Sequence, residues 1–226
     1  MDKHGFDQPD RIFFLFDFIS HNAWLAWQRA REIAARHGLG FEPVPVVFGV
    51  MLKHYGQVGP AEVPAKSRWM LHNVLRKAQR LGLPIAPPHS HPFNPLTALR
   101  LCCCELDPAE RLRLIDALWL ATWVQSREVS SPQVLAELLA AQGFDAAALL
   151  AEADAPAARE RLRGYTDGAL QIGAFGVPTL LVRGELFWGF DDLDALDALL
   201  GGRAEPIAAA TLSAWQAVRP SVQRKR

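Results

Sequence analysis

Extended, apolar segments occur only towards the two ends of this chain, and residues 65–171 between them read as helix broken at prolines. Ile12 to Ile19 is rich in Phe and Ile and suits a buried strand ending at Ser20. Asn22 to His37 follows at helical spacing, with Leu25, Ile33 and Ala34 on one face and Gly38 as its stop. Phe41 to Phe48 alternates Val and Pro, a second strand whose prolines put it at an edge or make it irregular. A βαβ opening of this kind implies a parallel pair. Near the other end, Pro178 to Val182 and Glu185 to Trp188 flank Arg183-Gly184 as a hairpin, and Asp191 to Leu200 closes with a helix. The order is therefore βαβ, helices, ββα, an α/β frame opened by a large all-helical insertion.

The middle segment breaks at Leu83-Pro84, Ala86-Pro87-Pro88, Asp107-Pro108, Ser131-Pro132 and Ala155-Pro156. Asp107 and Ser131 each precede a proline, an N-cap followed by a residue suited to the first helical position. No repeat of solenoid length is visible. The expected division is residues 12–64 and 172–202 as two halves of one domain, 65–171 as the insertion and 203–226 as a tail. That tail reads either as a further helix through Leu212 and Trp215 or as disordered chain.

Charge and cysteine usage exclude several partners. Lys plus Arg equals Asp plus Glu, so no electrostatic argument favours nucleic acid or an anionic membrane. The one basic cluster, Arg224-Lys225-Arg226, reads as a solvated end. Met1 to Arg11 is polar, with no apolar leader, and Ile12 to Ile19 is interrupted by Asp17 and too short to span a bilayer. Cys102, Cys103 and Cys104 are adjacent, which suits neither a disulfide framework nor a metal site. On a helix over Asn94 to Glu105 they pack as small hydrophobes, and the expected compartment is a reduced cytoplasm.

Four segments carry candidate chemistry. At Asp17-Phe18-Ile19-Ser20-His21-Asn22-Ala23 a strand gives way to a helix, so unpaired N–H groups and the helix dipole are aimed beside the Ser20 hydroxyl. Such a corner favours an anion, a thiolate included. Ser20 equally suits capping its own helix. In Gly173 to Thr179 a proline follows Val177 and opens a strand, where an X–Pro bond can be cis. Phe187 to Asp192 joins the last strand to the last helix, and Asp191 or Asp192 suits either an amino group or the helix cap. Finally, Phe48 to Gln57 and Pro64 to Arg68 supply lysines, each readable as a solvated surface charge.

Taken together and in this order, these segments resemble the 2-hydroxychromene-2-carboxylate isomerases and the kappa-class glutathione transferases. The resemblance rests on Asp17-Phe18-Ile19-Ser20, the Gly49…Lys53…Gly56 loop and Pro64-Ala65-Lys66. It rests also on Phe175-Gly176-Val177-Pro178-Thr179 and Glu185 to Asp191, and runs from about Ile12 to Leu200. It implies a thioredoxin-like domain with a helical insertion (the DsbA and kappa architecture), a homodimer and glutathione as cofactor. By resemblance Ser20 holds the glutathione sulfur, Gln57 and Lys66 help hold the tripeptide, and Val177, before Pro178, pairs with its cysteinyl backbone. Trp188, Gly189, Phe190 and Asp191 line the γ-glutamyl end, and Lys53 and Asn94 serve an aromatic ketoacid substrate. No metal is implied. His21 departs from the proline common after the serine, and Gln57 from the usual Asn.

Ser20-His21-Asn22-Ala23 contains no sulfur, so the dithiol chemistry of Cys-x-x-Cys relatives is excluded. The resemblance points instead to a redox-neutral cis–trans isomerase of aromatic catabolism. A transferase that releases its conjugate and a binding or chaperone module without catalysis are the alternatives.

Overall fold

The computed structural model describes Phe6 and residues 8–222. Arg224-Lys225-Arg226 lies outside the described residues. The chain divides into two compact units, one ending at Leu193 and one beginning at Asp194.

In the first unit, β1 (Arg11–Phe16), β2 (Gly40–Pro45), β3 (Thr179–Val182) and β4 (Glu185–Trp188) form one sheet in the order β2-β1-β3-β4. β1 pairs parallel with β2 and antiparallel with β3, which pairs antiparallel with β4. The βαβ opening and the hairpin are as the patterns imply. Arg183 and Gly184 both have positive φ, 51° and 82°, the twist a two-residue hairpin requires.

β1 is apolar from Ile12 to Phe16 because both of its faces are covered. Phe14 and Phe16 meet Trp27 of α1 (His21–Arg36), at centroid distances of 5.5 and 6.0 Å. Phe16 and Phe18 also meet Trp119 of α5 (Pro108–Trp123), at 5.8 and 4.7 Å. On the opposite face Phe13 and Leu15 join Val44, Val46, Met51, Ala169, Ala174 and Leu181. Burying each such aromatic ring stabilises the fold by roughly 2–3 kcal/mol.

Between β2 and β3 run α2 (Phe48–Tyr55), α3 (Pro64–Leu81), α4 (Leu96–Leu101), α5 (Pro108–Trp123), α6 (Pro132–Ala141), α7 (Ala146–Asp154) and α8 (Pro156–Gln171). The expected caps form. Asp107 accepts from the N–H groups of Ala109 and Glu110, and Ser131 from that of Val134.

Several expected boundaries shift. β1 stops at Phe16 rather than Ile19, because the Asp17 carboxylate accepts the Ile19 N–H at 3.1 Å and folds the chain into a turn. β2 ends at Pro45 rather than Phe48. There Thr166 takes the Val47 N–H at 3.1 Å and Asp17 the Phe48 N–H at 3.0 Å, turning the backbone into a helix. The Gly49…Lys53…Gly56 stretch is therefore not a loop but α2, ended by Gly56 at φ 61°. The helix expected over Asn94 to Glu105 is confined to Leu96–Leu101.

The three cysteines follow α4 and are buried. Burial pushes the Cys103 and Cys104 thiols up to about 12 and raises Cys102 well above its ordinary value. They pack as small hydrophobes, and their carbonyls serve as acceptors: Arg111 donates to Cys104 and Arg161 to Cys103. No group of His, Cys, Asp and Glu among the described residues is placed to hold a metal ion. Nor is any described helix long and apolar enough to cross a membrane.

α9 (Leu193–Leu200) starts two residues later than expected, since Asp192 turns back to accept the Trp188 N–H at 3.0 Å. In the second unit the tail forms α10 (Ala209–Gln216), the helical one of its two readings, and its residues are exposed.

Candidate functional site

The centre of the candidate site is the corner where β1 turns into α1. Ser20 is the N-cap of α1 in an extended conformation, and its Oγ accepts the Ala23 N–H at 3.2 Å. The same hydroxyl lies 3.4 Å from the Val177 carbonyl, to which it donates. Ser20 thus caps its helix and also faces the second candidate segment, 157 residues further along the chain. The N–H groups of His21 and Asn22, the first two of α1, bond to no described residue, as expected at a helix start.

The Val177–Pro178 peptide is cis. The Val177 N–H makes no hydrogen bond with a described residue, while Pro178 and Thr179 are buried and tied into the sheet. Thr179 donates to the Gly176 carbonyl at 2.7 Å, and Gly189 donates to the Pro178 carbonyl at 2.8 Å. Gly176 admits no side chain: a Cβ there would come within 2.6 Å of Trp188 Nε1. Phe175 and Trp188 rest on each other at 4.9 Å, both substantially exposed, so an apolar ledge borders the cis-proline.

Asp17, one turn before Ser20, is fully buried. Its two oxygens accept from Ile19 and Phe48, joining the start of α1 to the start of α2. Burial outweighs those two hydrogen bonds and raises its carboxyl to about 7. His21 is also buried. Desolvation, with the charges of His91 and Lys77, lowers its imidazole to about 4. Its ring stands 5.7 Å from Trp123 and 6.5 Å from His91. His91 belongs to the proline-rich stretch before α4, and its Nε2 donates to the Ile19 carbonyl at 3.0 Å. That stretch is held down further by Trp24 on the Pro84 carbonyl and by the Ala86 N–H on the Trp123 carbonyl.

Asp191 pairs with Lys77 of α3 at 2.9 Å, an exposed carboxylate over a buried ammonium. Phe190 is buried, with the Lys77 ammonium 5.1 Å from its ring. Lys53, Gln57 and Lys66 lie on the surface of α2, the turn after it and the first turn of α3, with side chains bonded to no described residue. Asn94 is exposed, and its Oδ1 accepts the Leu96 N–H at 3.1 Å, which leaves its amide NH₂ outward.

The structure therefore brings together Ser20, Val177 and Pro178 at one corner, and Gly189, Phe190 and Asp191 along the segment leading away from it. No hydrogen bond or ion pair joins that corner to Lys53, Gln57, Lys66 or Asn94. Asp17, Lys77, His91 and Trp123 are the additions that sequence reasoning missed. Of these only Asp17 left a trace, as a charge interrupting an apolar run.

The DSBA-like thioredoxin domain family matches residues 11–201. The chain belongs to that family. A relative named 2-hydroxychromene-2-carboxylate isomerase, from Sphingobium xenophagum, is 30% identical over 194 residues, covering 84% of this chain and 97% of the relative. One named glutathione S-transferase kappa 1, from Homo sapiens, is 24% identical over 207 residues, covering 85% and 92%. Among solved structures, a 2-hydroxychromene-2-carboxylate isomerase aligns with a TM-score of 0.79 at 23% identity, over 92% of this chain and all of the other. These likenesses place the chain in the isomerase and kappa-transferase group of the family. In this chain the serine corner faces the cis-proline segment and carries no cysteine.

Proposed function

We propose that this DSBA-like protein is a glutathione-dependent cis–trans isomerase of the 2-hydroxychromene-2-carboxylate type, acting as a cytoplasmic homodimer in aromatic catabolism. The observation that carries the reading is the Ser20 hydroxyl at the start of α1, 3.4 Å from the carbonyl before the cis-proline, with no sulfur in the stretch that follows it.

The donor set fits glutathione. The hydroxyl of Ser20 and the free N–H groups of His21 and Asn22 suit a thiolate. The unpaired Val177 N–H, beside its carbonyl, suits a peptide backbone laid down as a strand. The exposed Asp191 carboxylate, held in place by the buried Lys77 ammonium, suits the amino group of the γ-glutamyl end. Trp188, Gly189 and Phe190 border that end, and Gln57 and Lys66 serve the remainder of the tripeptide. When bound, glutathione supplies a thiolate that can add to and leave a conjugated double bond, allowing rotation about it.

The work of this chain is to make that thiolate available. A thiol near 8.5 is only about 3% ionised at pH 7, and lowering it by ~2 units takes roughly 2.7 kcal/mol of differential stabilisation. A hydroxyl donor and a helix N-terminus together supply contributions of that size. Lys53 and the outward amide of Asn94 orient the carboxylate of an aromatic ketoacid.

The test is isomerisation of an aromatic ketoacid with and without glutathione, using wild type and Ser20→Ala. The expected result is activity only with glutathione, reduced at least ~100-fold in Ser20→Ala, the scale of losing one pre-organised donor. Full activity in Ser20→Ala would remove Ser20 from the mechanism. A stable thioether as product would assign the site to a transferase instead.

A further inference from the structure

His21 follows Ser20 directly and is the first helical residue of α1. It is 7% exposed. Its Nδ1 is sealed from solvent and has no hydrogen-bond partner. An orphaned buried N–H is costlier than an orphaned acceptor, so Nδ1 is the lone-pair nitrogen and Nε2 carries the hydrogen. Nε2 is neither sealed nor bonded to another described residue, so it is the ring's outward polar atom.

The surroundings hold that state. His91, from the segment before α4, and Lys77, from α3, are the charged groups that act on His21. Both oppose its protonation, as does its own burial. Trp123 of α5 contributes an apolar wall at 5.7 Å. The nearby Asp17 carboxyl spends both oxygens on backbone N–H groups, and Asp191 is paired with Lys77. No described carboxylate bonds to the ring.

We propose that His21 is a specificity residue whose Nε2–H donates to a carbonyl or carboxylate oxygen of an aromatic 2-ketoacid. This deepens the proposed function and rests on that reading for where the substrate lies. The role involves no proton transfer, and the hydrogen stays on the imidazole. A neutral donor keeps the same hydrogen bond across the working pH range, whereas an imidazole of ordinary basicity would change charge there. A site built to hydrogen-bond a substrate oxygen also discriminates strongly against analogues lacking it.

The probe is phenylpyruvate, an aromatic 2-ketoacid with no bond to isomerise, titrated into wild type, His21→Leu and His21→Gln. Glutathione is titrated in parallel. Gln carries an N–H donor at about the reach of Nε2, and Leu fills the space without one. The expected result is a ratio of phenylpyruvate to glutathione affinity lowered about tenfold or more in His21→Leu and within about threefold of wild type in His21→Gln. Equal phenylpyruvate binding by His21→Leu would overturn the proposal while leaving the glutathione reading intact. So would absent phenylpyruvate binding in a wild type that takes glutathione. A wild type that binds phenylpyruvate through His21 but takes no glutathione would sustain the residue's role and sink the cofactor reading. Ring ¹⁵N shifts of the wild-type protein test the state without a variant. One hydrogen, on Nε2, from pH 5.5 to 8 is expected, and a transition near pH 6.5 would overturn the assignment.

Discussion

The Cys102–Cys104 block and the Ser20 corner treat sulfur in opposite ways. The block holds every cysteine of the chain, buried after α4 with ionisation pushed far out of reach. The corner has no cysteine, yet it offers what a thiolate requires: a helix start, free N–H groups, a hydroxyl and an open backbone beside a cis-proline. Burial without hydrogen-bond donors silences a thiol, whereas donors without a thiol make a receptor for one.

Thiol labelling breaks or confirms the contrast most sharply. Displacement of Cys103 and Cys104 from 9.0 to about 12 lowers the thiolate fraction at pH 8 about a thousandfold. The native protein should then react with a thiol reagent at least that much more slowly than the unfolded chain. In Ser20→Cys one new thiol should react rapidly, about tenfold faster than a thiol of the unfolded chain. A fast-labelling native wild-type thiol would end the comparison.

The corner also holds two buried titrating groups of opposite sign, Asp17 and His21. Asp17 rises from 3.8 to about 7, so the fold favours its protonated form, and the stability it contributes is lost as pH rises through that window. His21 falls from 6.5 to about 4, so the fold favours its neutral form, and stability is lost as pH falls from 6.5 towards 4. Fully expressed, these correspond to roughly 4 and 3 kcal/mol, and between pH 4 and 6.5 they oppose each other. Denaturant titrations should show the stability of His21→Leu, relative to wild type, falling as pH rises across that range. Asp17→Asn should show the reverse slope on top of a constant loss from its weakened amide contacts. Parallel curves for all three proteins would contradict both assignments.

At the other end of the site, Lys77 is buried and Asp191 exposed, so their pair is asymmetric. Removing the carboxylate in Asp191→Asn strands a buried ammonium and should cost about 1–2 kcal/mol after allowing for solvent screening. Lys77→Met leaves a solvated carboxylate and should cost less than about 1 kcal/mol. The order of the two in thermal unfolding is the check. A smaller, purely structural effect is expected at Asp107→Ala, about 1 kcal/mol for the lost cap of α5.

Local chemistry made much of the frame legible. The Phe-rich first strand, the Asp-Pro and Ser-Pro helix starts and the Arg183-Gly184 turn each act within a few residues, so their signals survive in sequence. α2 did not, because its eight residues bury only Met51 and lie between prolines and glycines that read as loop. Asp17 looked like a charge interrupting a strand, since its partner at Phe48 is 31 residues away. Lys77 sits on a mostly exposed helix, and its meeting with Asp191 spans 114 residues. The neutral state of His21 depends on α3, on α5 and on the stretch before α4 at once. Ser20 and Val177 could be named in advance only by resemblance, because nothing local announces that they face each other.

The most direct test of the central claim is calorimetric titration of the purified protein with glutathione at pH 7, repeated in two buffers of different ionisation enthalpy. The Ser20 corner predicts saturable binding with release of roughly 0.7 protons per site, the change expected when a thiol near 8.5 is lowered by ~2 units. Absence of binding up to millimolar glutathione would contradict the account and leave a thioredoxin-fold binding module in its place.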